Sequence, residues 1–122
     1  MLKEAMALED LFVAHRSAPN ELAEYAHRGW RSICLHGEAW NKTQHYHDYP
    51  ENAGKTIDQI QYGWCSEIAE RCPETTRYFK ELFPYHNYQR LRYMWLEPHG
   101  YIQPQRDRNE NFLQPMNIAL NN

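Results

Sequence analysis

Near the C-terminal end, Tyr101, Gln103, Gln105 and Asp107 fall at alternate positions of the run GYIQPQRD. Alternate residues of an extended strand share a face, so this spacing sets a polar row that ends in a carboxylate. A row of this kind serves either of two ends. It can be a solvent-facing edge strand, a position that proline favours over a central one. It can also be a metal strand, because two donors separated by one residue point the same way. A second set of donors stands in HYHDYP, where His45 and His47 have His-x-His spacing beside Asp48. On a strand the two imidazoles would share a face and could bind a metal; in a loop they are surface histidines.

Other chemistry is poorly represented. Cys34, Cys65 and Cys72 are odd in number and lack metal-type spacing, so they read as reduced thiols of a cytoplasmic protein. His36, His86 and His99 are isolated in sequence. No Ser/His/Asp order, glycine-rich phosphate loop or nucleophile elbow is present. Arg90, Arg92, Arg106 and Arg108 interleave with Tyr88, Tyr93 and Tyr101, but a net charge of -3 argues against nucleic acid. Alternating arginines on a solvated sheet face explain that pattern more simply.

The elements that must position these residues follow from periodicity and punctuation. The 122 residues give room for one domain, and 42% hydrophobic with 14% aromatic content is globular. No apolar run approaches the roughly 18–20 residues needed to cross a bilayer, and the charged N-terminus is not a signal peptide. Leu2, Met6, Leu8, Leu11, Phe12 and Val13 predict an amphipathic helix over about residues 2–15. A second helix follows, with Ser17 or Asn20 as its cap and Gly29 as its stop. WRSICLHG, Trp30–Gly37, reads as a strand. Glu38 to about Ala53 is loop-like, and WCSEIAERCPETTRYFKELFP holds two short helices, with Pro73 opening the second and Pro84 just beyond its end. YQRLRYMWLEP, GYIQPQRD and FLQPMNIALN are three strand candidates separated by turns. Helices therefore occupy about residues 1–29 and 56–83, and strands about 30–36 and 88–120. This order is α+β rather than alternating α/β. Trp40, Trp64 and Trp95 are expected as core or half-buried packing.

The C-terminal third resembles the aspartyl/asparaginyl β-hydroxylase branch of the Fe(II)/2-oxoglutarate-dependent oxygenases. The matching stretches are LRYMWLEP (Leu91–Pro98), HGYIQP (His99–Pro104), QRD (Gln105–Asp107) and NIALN (Asn117–Asn121); upstream, WRSICLHG and WCSEIAERCPET look like the group's entry elements. The likeness spans most of residues 30–122, with its specific motifs in the last thirty. It implies a double-stranded β-helix, a cupin-like jelly roll with helices packed outside. It also implies iron(II) held by two histidines and a carboxylate, with 2-oxoglutarate as cosubstrate and a small-molecule or peptide substrate.

Residue by residue, the carry-over is incomplete. Asp107 matches the carboxylate of the family's Pro-His-x-Asp motif, whereas Gln105 stands at the histidine position. A glutamine carbonyl is a neutral oxygen donor and a poor substitute for imidazole at iron. Asn117, on the last expected strand, is a position that could line the cosubstrate cavity. Met94 and Gln114 lie nearest the family's cosubstrate-binding serine and arginine and are not equivalent to them. The chain reaches Asn122 before a distal histidine and a cosubstrate-binding basic residue would appear. The expectation is therefore an incomplete oxygenase-like domain with little or no activity, or a non-catalytic binding module on the same scaffold. Open sheet edges on such a scaffold predict a homo-oligomer.

Overall fold

The computed structural model describes residues 1–14, 28–101 and 117–120. Its described elements are α1 (Leu2–Ala7), β1 (Val13–Ala14), β2 (Arg28–Gly37), β3 (Gly63–Trp64), α2 (Ser66–Ala69), α3 (Pro73–Arg77) and β4 (Leu91–Tyr101), with short 3-10 turns between β2 and β3. They form a mixed helix-and-sheet fold around a four-stranded antiparallel sheet that does not close on itself.

β2 is the central strand. Ser32 pairs with Val13 of β1 on one edge and Met94 of β4 on the other. His36 likewise pairs with both Trp64 of β3 and Leu91 of β4. Two short strands therefore share one edge of β2, and β4 runs along the other. This position explains why every side chain from Trp30 to His36 except Arg31 is buried. The sequence WRSICLHG suits a strand covered on both faces, with small Ser32 and Cys34 at full burial.

The helices cover one face. Ile33 and Leu35 of β2 and Tyr93 of β4 form the core with Ala5 and Leu8 of α1, Phe12, Ile68 of α2 and Cys72. Burying side chains the size of Leu8, Ile33 and Leu35 contributes about 1.5–3 kcal/mol each. Trp40, Trp64, Trp95 and Leu120 pack around this core half-buried, as expected for the tryptophans. Phe12 meets Trp95 edge-on at 5.4 Å, and the Arg31 guanidinium lies 4.6 Å over the same indole while pairing with Glu97.

Five expectations are adjusted. The first helix stops at Ala7, and a 3-10 turn, Glu9–Leu11, leads directly into β1. The second expected helix falls mostly outside the described residues, and Gly29 is not its stop. Gly29 sits within β2 at φ 70°, opposite residues 97–100, where the pairing jumps from Arg28–Tyr101 to Trp30–Leu96. That same jump replaces the expected turn at His99–Gly100, so Leu91–Tyr101 is one strand with an irregularity. Asn117–Ala119 has no regular structure. Finally, of the helical span expected over about residues 56–83, the front part is not helical: Ile57–Gln59 is a 3-10 turn and Gly63–Trp64 is β3, held extended by its pairing with β2. The two helices around Pro73 do occur, and α3 continues into a π-turn, Tyr78–Leu82, that ends just before Pro84.

Candidate functional site

The sheet face turned away from the helices carries a mixture of polar and apolar residues of the two long strands. Cross-strand pairs share a face, which sets Trp30 with Leu96, Ser32 with Met94 and Cys34 with Arg92. One end of this face lies under the segment that follows β2. The Cys34 amide donates to the Trp40 carbonyl at 2.8 Å, the Cys34 thiol lies 3.5 Å from the Lys42 carbonyl, and Arg92 donates to the carbonyl of buried Thr43. That segment is held by its own polar contacts. Asn52, 3% exposed, donates to the Glu38 carboxylate at 3.0 Å and to the Tyr46 carbonyl at 3.0 Å, while Lys42 lies 3.5 Å from both Glu38 and Glu51. At the other end Met94 and Leu96 remain exposed at 41% and 46%.

His36 does not belong to this face, although simple alternation from Cys34 would put it there. The pairing slips between Cys34–Arg92 and His36–Leu91, so one extra residue of β2 stands against β4. A bulge of this kind re-aims the side chains that follow it. His36 is thereby turned to the side of Leu91, edge-on to Trp64 at 5.1 Å and to Tyr88 at 5.9 Å. Its Nδ1 lies 2.9 Å from the Gln89 carbonyl, an acceptor only, so Nδ1 carries the proton. His36 is an aromatic-cluster residue whose Nδ1–H is held by the Gln89 carbonyl.

The thiols are poor nucleophiles. Burial pushes Cys34 up to about 12, with Cys65 adding to the rise and Arg92 and Arg90 opposing it. Burial likewise pushes Cys65 up to about 11, and Cys72 is raised for the same reason. All three are free and buried, so each is a protonated packing residue at neutral pH.

His45 and His47 occupy a 3-10 turn, Tyr46–Asp48, rather than a strand. His45 accepts from the His47 amide at 3.4 Å, and the two rings sit 4.8 Å apart beside the Tyr46 ring. The shared strand face that His-x-His spacing required is therefore not formed. Among the described residues no group of three His, Cys, Asp or Glu side chains could hold a metal ion.

Of the residues matched to the oxygenase motif, Gln105 and Asp107 lie outside the described residues. Asn117 is described and is exposed, in irregular chain of which, among the described residues, Leu120 packs against the core. Met94 does lie on the face opposite the helices, paired with Ser32. As a donor set, Gln105 and Asp107 supply one carboxylate and one neutral amide, which does not fit the two imidazoles and carboxylate that hold iron(II). Sequence reasoning missed the Glu38–Asn52 clasp and the bulge at His36, since neither partner choice has a signature in local spacing. No protein-family model, curated protein or solved structure matches the chain.

Proposed function

We propose that this chain is a protein of the Fe(II)/2-oxoglutarate oxygenase type, of the aspartyl/asparaginyl β-hydroxylase branch, that turns over little or no substrate. The observation that carries the reading is the run from Leu91 to Asn121, with LRYMWLEP, HGYIQP and NIALN in order around Asp107. An antiparallel sheet with helices on one face is compatible with part of a double-stranded β-helix. Weak activity follows from Gln105, since a neutral amide in place of an imidazole weakens iron binding.

The test is oxygen-dependent succinate formation from 2-oxoglutarate with iron(II) supplied. Background-level succinate is expected; clear turnover would contradict the inactive reading. Gln105 also favours a second reading, in which the scaffold is a non-catalytic binding module. Replacing Gln105→His separates the two. A gain in iron(II) affinity supports the oxygenase reading, and unchanged weak affinity supports the module.

A further inference from the structure

Away from that face, the turn after β2 and the segment entering α2 enclose an open cleft of about 400 Å³. This is within the range of about 300–1,000 Å³ common for small-ligand sites. The paired Gly37 and Gly63, which carry no side chain of their own, are part of its lining. Its mostly polar lining includes the aromatic residues Trp40, Tyr62 and Trp64 and the acidic residues Glu38 and Glu67.

The two carboxylates play different parts. Glu38 is fixed by Asn52 and Lys42, so its position is set in advance of any ligand. Glu67 is exposed and makes no ion pair among the described residues. Trp64 already takes a cation from the protein itself, with the Lys80 ammonium 5.0 Å from its ring centre. Aromatic faces beside a carboxylate are the surroundings in which an alkylammonium is favoured over a neutral group of the same shape.

We infer that this cleft is a binding site for an alkylammonium group, borne by a small amine or by a lysine side chain, seated against Trp40 and Tyr62 with Glu67 as its counter-ion. The inference is independent of the oxygenase reading, because it uses none of residues 91–122. The full chain, labelled with nitrogen-15, would be titrated with choline, with choline's uncharged carbon isostere, and with a capped peptide containing one lysine. Choline or the peptide is expected to give saturable shifts at the Trp40 and Trp64 indole N–H signals and the Glu67 amide, leaving the Trp95 indole unmoved. Tighter binding of the peptide assigns the lysine source, and tighter binding of choline assigns the small amine. Glu67→Gln, an exposed change that leaves the fold intact, is expected to weaken binding about two- to fivefold. The proposal is overturned if neither cation gives saturable shifts, if the uncharged isostere binds equally, or if Glu67→Gln binds as tightly as the parent.

Discussion

Gly29 shows how one residue can decide the shape of a long strand pair. Its φ of 70° lies in the left-handed region, which residues with a Cβ adopt at a cost. A Cβ added there would also stand 2.8 Å from the Glu97 Cβ, an atom close to the backbone that cannot swing aside. Both effects act together at the point where β2 and β4 change register. Gly29→Ala is therefore expected to destabilise the fold by about 1–3 kcal/mol, read as a lower denaturation midpoint in urea. An unchanged midpoint would show that the irregularity opposite residues 97–100 relaxes without strain. In the sequence, Gly29 had the signature of a helix stop, because a positive-φ glycine serves helix ends and strand bulges alike.

Among the elements, α1 and α3 are joined by one carboxylate. Glu4 accepts from the Glu74 amide at 2.8 Å, the Thr75 amide at 2.8 Å and the Thr75 hydroxyl at 2.6 Å, and Thr75 in turn meets the Tyr93 hydroxyl at 2.5 Å. The contact thus ties both helices to β4. Burial alone would raise the Glu4 pKa, but the hydrogen bonds from Thr75 and Glu74 and the nearby amino terminus together hold it below the ordinary 4.5. A lowered folded-state pKa stabilises the fold fully above the unfolded value, and that stability is lost as pH falls through the folded value. Thermal stability is accordingly expected to fall on acidification below about pH 4.5 in the parent, and to fall less in Glu4→Gln. Equal acid sensitivity in both would assign the effect to other carboxylates. Glu4→Ala, which leaves the α3 amides without this acceptor, is expected to cost about 1–3 kcal/mol at neutral pH.

At the scale of the whole molecule, the sheet is asymmetric. Helices cover one face, whereas the second face is closed near Cys34 and exposes Met94 and Leu96 near its other end. Among the described residues, β4 has a partner strand only along its β2 edge. Exposed apolar side chains on a sheet face favour burial against another copy of the same chain. Light scattering is expected to report an assembly larger than one chain, with a mass that rises with concentration. A single species of monomer mass across a wide concentration range would rule this out. No helix among the described residues is long and apolar enough to cross a membrane, which agrees with the absence of any long apolar run in the sequence.

The sequence by itself determined the features that depend on neighbours along the chain. The strand at Trp30–Gly37 follows from the alternation of bulky and polar residues in a short run, and the helix starting at Pro73 from a residue that preorganises a first turn. The absence of a histidine at position 105 is likewise a fact of sequence, and it sets the expectation of weak iron binding. Only the tertiary structure decided which side chains meet. Glu4 and Thr75 are 71 residues apart, and His36 left the Cys34 face because one extra residue of β2 entered the ladder. The reason is physical: local sterics fix whether a segment is helix or strand, whereas register and bulges are chosen by contacts between segments that the chain brings together only on folding.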